Sequence, residues 1–175
     1  MGEGMGDGMK QGMPETQAAL RLQRVMIGHG LLVMVMAMLA GFMLIFVLVG
    51  GFEVWPGTIV EFSVYGTSEG WVRAHSGGVT NGLMVIAVGL ALPKLTLTAT
   101  RQKWVAYGVI YSAWAFTVFY WLGNASANRA LTFGDSPLGE ASLVSIIGFL
   151  PGLPAVVIIT VVLLIAARAA FAASD

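Results

Sequence analysis

The stretch MIGHGLLVMVMAMLAGFMLIFVLV, Met26 to Val49, runs without an aspartate, glutamate, lysine or arginine. A helix rises about 1.5 Å per residue, so roughly twenty apolar residues cross a hydrocarbon core of about 30 Å. This segment is long enough to do so. Three more uncharged runs follow, Ala74 to Leu92, Trp104 to Leu122 and Leu143 to Ala167. The chain is 57% hydrophobic and 10% charged, whereas a soluble domain carries about a quarter charged residues. The pattern predicts an all-α integral membrane protein, a bundle of four transmembrane helices over residues 25–168. Polar tails, 1–24 and 169–175, flank it.

The spans take up about half of the 175 residues, so any chemistry must sit inside the bundle or at its rim. Formal net charge is zero and no basic patch interleaves with aromatics, which removes the electrostatic signature of nucleic-acid binding. There is no cysteine, hence no disulfide, thiolate nucleophile or sulfur-ligated cluster. The polar opening through Arg24 and the length of the first run argue against a cleaved signal peptide. The glycine-rich start, MGEGMGDGMKQGMPET, sets methionines at 1, 5, 9 and 13. A soft-metal tail is one reading, but so much glycine without an apolar face predicts a disordered tail.

Positive charge orients the bundle. Lys10, Arg21 and Arg24 precede the first span, Lys94, Arg101 and Lys103 lie between the second and third, and Arg168 follows the fourth. The positive-inside bias therefore places both termini in the cytoplasm, with a bacterial inner membrane the expected location. The other two loops lean acidic and should face outward. The first of them, Gly50 to Arg73, is long for a small bundle and holds Trp55, Tyr65 and Trp71, a Pro56-Gly57 turn signal and a β-favouring stretch from Thr58 to Tyr65. A structured cap over one mouth of the bundle is expected. Gly78 with Gly82, and Gly148 with Gly152, are spaced for close helix packing, and Pro151 and Pro154 should kink the last helix.

The polar groups at membrane depth are His29, His75, Asn81, Ser112 and Tyr120. Such residues are candidates for function. His29, between two glycines near the cytoplasmic start of the first span, reads as an interfacial histidine. His75 is open to two readings, a capping or interface contact and a ligand for haem iron. Antiparallel helices joined by outer loops bring His75 and Tyr120 toward one face, with Asn81 about 9 Å further in. Arg73 and Arg129 flank that rim and are able to pair with haem propionates. His29 falls toward the opposite face, which disfavours a bis-histidine cytochrome. Six residues turn a helix through about 600°, so Asn81 stands about 120° around from His75. Either a broad cofactor reaches both, or it lies between subunits; the second arrangement is favoured.

The segments GGFEVWPGTIVEF, EGWVRAHSG with NGLMVIA, and FYWLGNASANRALTFG resemble the styrene oxide isomerases, membrane enzymes that turn epoxides into aldehydes. The resemblance runs from about Met26 to Gly134. It implies a homotrimer with ferric haem b between subunits, His75 as axial ligand, and Tyr120 and Asn81 lining the pocket of a small hydrophobic epoxide. It also implies a Meinwald rearrangement with a 1,2-hydride shift. An aromatic pocket, from Phe116, Phe119 and Trp114, would keep water from the benzylic cation. One departure stands out, because the family's third helix carries polar residues where this chain has Ser112 and Phe116. The competing classes are a haem electron carrier or quinone-linked anchor subunit and a cofactor-free transporter or structural subunit.

Overall fold

A computed structural model of the chain describes residues 6–172. Four helices carry it: α1 (Gly6–Val49), α2 (Ser68–Ala91), α3 (Ala99–Asn124) and α4 (Leu143–Ala172). Each is long and apolar enough to cross a membrane. Strands β1 (Gly51–Trp55) and β2 (Thr58–Glu61) form an antiparallel hairpin between α1 and α2, turning at Pro56-Gly57. The extended stretch expected to reach Tyr65 pairs only as far as Glu61. One 3-10 turn, Leu92–Lys94, joins α2 to α3.

The helices begin earlier than their apolar runs because polar residues cap them. Thr67 accepts from the Gly70 amide at 3.1 Å and starts α2 six residues before the run at Ala74. Thr98 accepts from the Arg101 amide and starts α3 in the same way. The disordered tail expected over 1–24 is corrected in part: α1 already includes 17–24, where Ala19 and Leu22 are buried. Ala18, Ala19, Leu20, Arg21, Leu22 and Gln23 are strong helix formers, and packing outweighs their polarity. Met1 and Met5 of the soft-metal reading lie outside the described residues. At the other end α4 runs on to Ala172 through the expected C-terminal tail, with Ala169 buried.

Small residues set the close pairing of α1 and α2. Met26, Gly30, Val33, Ala37 and Ala40 are buried on α1, and Ala74, Gly78, Gly82, Val85 and Gly89 on α2, each stripe repeating at intervals of three and four. A Cβ added at Gly82 would stand 2.8 Å from the Gly30 carbonyl oxygen, and one at Gly78 would stand 2.8 Å from the Ala37 Cβ. Backbones approach this closely only without side chains between them. The third helix is the most enclosed, lying against α1 and α2 on one side and α4 on the other. Tyr111 and Ser112 of α3 donate to the Pro151 and Ala155 carbonyls, gripping α4 at its proline turn.

What remains outside is apolar. Phe42, Leu48, Val157 and Leu164 are among many large side chains left exposed, which water would penalise and lipid would not. Trp55 on the hairpin and Trp104 near the start of α3 are exposed at opposite ends, where interfacial aromatic residues belong.

Candidate active site

At the hairpin end, the start of α2 is tied to the end of α3. Asn124 accepts the Thr67 amide through Oδ1 at 2.9 Å, and its side chain lies over Gly66 and Gly70, where no Cβ would fit. Beside it the fully buried Trp71 donates to the Tyr65 carbonyl at 2.9 Å and meets Trp121 edge to face at 5.1 Å. These contacts frame a cleft of about 470 Å³ lined by Tyr65, Arg73, Phe119, Tyr120, Asn124 and Arg129. Partial burial pushes the Tyr65 phenol above its usual pKa.

Arg129 and Ala130 both take left-handed backbone angles, φ 56 and φ 53, which cost a non-glycine residue roughly 1–2 kcal/mol each. Buried Asn128 sustains the conformation. Its Oδ1 accepts from the Ala130 amide at 3.1 Å, and its Nδ2 donates to the Thr132 and Gly134 carbonyls. The strain falls where the Arg129 guanidinium is presented at the cleft.

His75 stands apart from that cleft. Its Nδ1 lies 2.9 Å from the Ala37 carbonyl of α1. A carbonyl oxygen only accepts, so Nδ1 carries a proton, and in the neutral ring Nε2 keeps its lone pair. Two residues further, about 200° around α2, the Tyr120 ring lies against Gly77, where a Cβ would come within 2.6 Å of Cε2. Asn81, four residues past Gly77, shares that α3-facing side. Its amide Nδ2 is buried and has no hydrogen-bond partner, so this face offers an unused donor. The second helix therefore holds its imidazole against α1 and sets a free amide on the side where the Tyr120 phenol of α3 packs.

The expected aromatic residues divide. Phe119 lines the cleft, lies 3.6 Å from the position of a Gly152 Cβ, and meets Tyr120 with ring centres 5.6 Å apart. Phe116 is half-buried on α3 and does not line the cleft. Trp114 also lies off it, donating its indole N–H to His29 Nδ1 at 3.1 Å. His29, half-buried, takes this bond because the α1–α3 packing brings the imidazole within reach of an indole donor. Ser112 donates to the Gly108 and Ala155 carbonyls and so turns toward α4. Sequence reasoning missed Asn124, Gly77 and Gly41. An asparagine at a helix end carries no sequence signal of a tie to another helix, and a glycine inside a helix reads as packing.

Among the described residues no three His, Cys, Asp or Glu side chains come together as a metal-binding cluster. A single imidazole with a free Nε2 suits a metal whose equatorial ligands arrive with a macrocycle, and the unpartnered Asn81 amide suits a ligand bearing an acceptor oxygen.

A family model described as styrene oxide isomerase matches residues 22–171. The chain belongs to that family. The styrene-oxide isomerase of Pseudomonas fluorescens is 43% identical over 129 residues, which cover 74% of this chain and 76% of that protein. The styrene oxide isomerase match takes in both faces of α2, the cleft and all of α3, and ends near the close of α4.

Proposed function

We propose that this protein isomerises styrene oxide and related aryl epoxides to aldehydes, giving phenylacetaldehyde from styrene oxide by a 1,2-hydride shift. Membership of the family supports the reaction class. The observation that carries the site assignment is the two-sided α2, with His75 held against α1 through Nδ1, which leaves Nε2 unbonded, and with the unpartnered Asn81 amide on the side where Tyr120 of α3 packs.

Ferric haem b is the cofactor this arrangement fits: His75 would hold it, and when bound it would supply a Lewis acid for the epoxide oxygen. Because the imidazole and the phenol point to different sides of one helix, His75 of one copy and Tyr120 with Asn81 of a neighbouring copy together complete the pocket. A homotrimer with haem between subunits satisfies this. Arg73 and Arg129, at the cleft rim, would pair with the propionates.

The chain's own residues then have separable tasks. The Tyr120 hydroxyl donates to the substrate oxygen as negative charge grows on it, and the Asn81 amide orients that oxygen. Phe119 keeps water from the benzylic carbon, where hydration would give a diol. Hydride moves within the substrate, so no net proton is taken up or released and no protein base is required. The basic flanks of the spans favour a bacterial inner membrane with both termini in the cytoplasm.

Purified protein in detergent should show a Soret band and convert styrene oxide with no electron donor added. A Soret band without conversion would assign the chain to electron transfer. Absence of both Soret band and conversion would overturn the reading altogether.

A further inference from the structure

The proton on His75 Nδ1 and the gap at Gly41 belong together. Ala37 and Gly41 are one turn apart on α1 and both meet the His75 ring: the Ala37 carbonyl takes Nδ1–H at 2.9 Å, and a Cβ at Gly41 would stand 2.9 Å from Nδ1 and 3.2 Å from Cε1. In a helix the Ala37 carbonyl also accepts the Gly41 amide, and its second lone pair remains for the imidazole. The ring reaches that oxygen because Gly78, three residues along α2, brings the two backbones together at Ala37. The other histidine is held the opposite way, since the indole of Trp114 can only donate to His29 Nδ1, which leaves the proton on its Nε2.

We propose that Gly41 and the Ala37 carbonyl are positioning elements for His75: they lock its Nδ1–H tautomer and hold its Nε2 lone pair in place to receive a metal. Free histidine in water favours the Nε2–H form, in which Nε2 offers no lone pair. The α1 contact therefore presets the ligand before any metal arrives. A carbonyl acceptor, unlike a carboxylate, also leaves the imidazole neutral. The inference rests on the reading of His75 as the haem ligand, but its central claim concerns the haem-free protein.

The test is ¹⁵N NMR of histidine-labelled, haem-depleted full-length protein, in which two imidazoles contribute. The wild-type spectrum should show one ring protonated at Nδ1 and one at Nε2, with the Nδ1–H signal missing in His75→Ala. In Gly41→Ala that signal should move to the Nε2–H pattern or average between forms. Its haem affinity should fall tenfold or more, and the ferrous iron–histidine stretch should shift in whatever haem remains. Gly28→Ala, where an added Cβ meets nothing within 4 Å, should match wild type in all three measurements. Two Nε2–H histidines in the wild-type spectrum would overturn the proposal without any variant, and so would an unchanged tautomer and haem affinity in Gly41→Ala. Retention of haem by His75→Ala would instead remove the ligand reading while leaving the tautomer result standing.

Discussion

Trp114 on α3 donates its indole N–H to Nδ1 of His29 on α1 at 3.1 Å, and the two rings meet edge to face at 88°. This bond commits the second histidine of the chain to structure. Trp114→Phe keeps most of the ring and leaves a part-buried acceptor unpaired, at a cost of about 1–2 kcal/mol. The expected result is a lower thermal midpoint with haem content unchanged. Adding His29→Phe should recover part of the loss, and a double-mutant cycle measures how much.

His75→Ala should leave an inserted protein that has lost its Soret band and at least 99% of its isomerase activity. His29→Ala should keep both. Soret absorbance per protein, with product quantified by gas chromatography, separates the two histidines, and the reverse pattern would move the ligand assignment to His29.

Tyr120→Phe retains the ring that lies against Gly77 and removes only the hydroxyl. Loss of one donor to a developing oxyanion typically slows turnover by about 100-fold or more. The expected result is a fall in kcat of that order with haem binding intact. A variant as fast as wild type would remove Tyr120 from the chemistry.

Deuterium on the terminal carbon of styrene oxide should appear at the carbon next to the aldehyde in phenylacetaldehyde, without exchange into water. The migrating hydride never meets solvent if no protein base takes part. Mass spectrometry of early product reads this directly, and substantial washout would point to an enol route.

Asn124→Ala removes the acceptor of the Thr67 amide and opens the space over Gly66 and Gly70. The cost should be about 1–2 kcal/mol, and the start of α2 should loosen against α3. Because Arg73 and Tyr120 line the cleft from these two helices, KM should rise along with the loss of stability.

The four spans were legible because lipid selects long uncharged runs, and Met26 to Val49 alone establishes the class. Their ends were not, because Thr67 and Thr98 act through single hydrogen bonds that hydrophobicity does not register. The divergence of His75 and Asn81 around α2 followed from helical pitch alone. Which neighbour each would meet did not: Ala37 lies thirty-eight residues from His75 in sequence, and the indole that holds His29 lies eighty-five away. Gly41 and Gly77 were invisible for a related reason. A glycine that makes room for a ring looks, in sequence, the same as one that admits a backbone.

The paired stripes on α1 and α2 repeat nearly every seven residues, and a repeat is ambiguous about alignment. Slide one helix past its partner by a heptad, about 10.5 Å, and one mostly apolar stripe again meets another. Hydrophobic matching scarcely distinguishes the two states. The imidazole does, because Gly41 would give way to Met34 or Leu48, whose side chains would occupy the place His75 now holds. The imidazole proposed to hold the haem is thus also the vernier mark of the helix pair, and a misaligned insertion would present a protein without the proposed site.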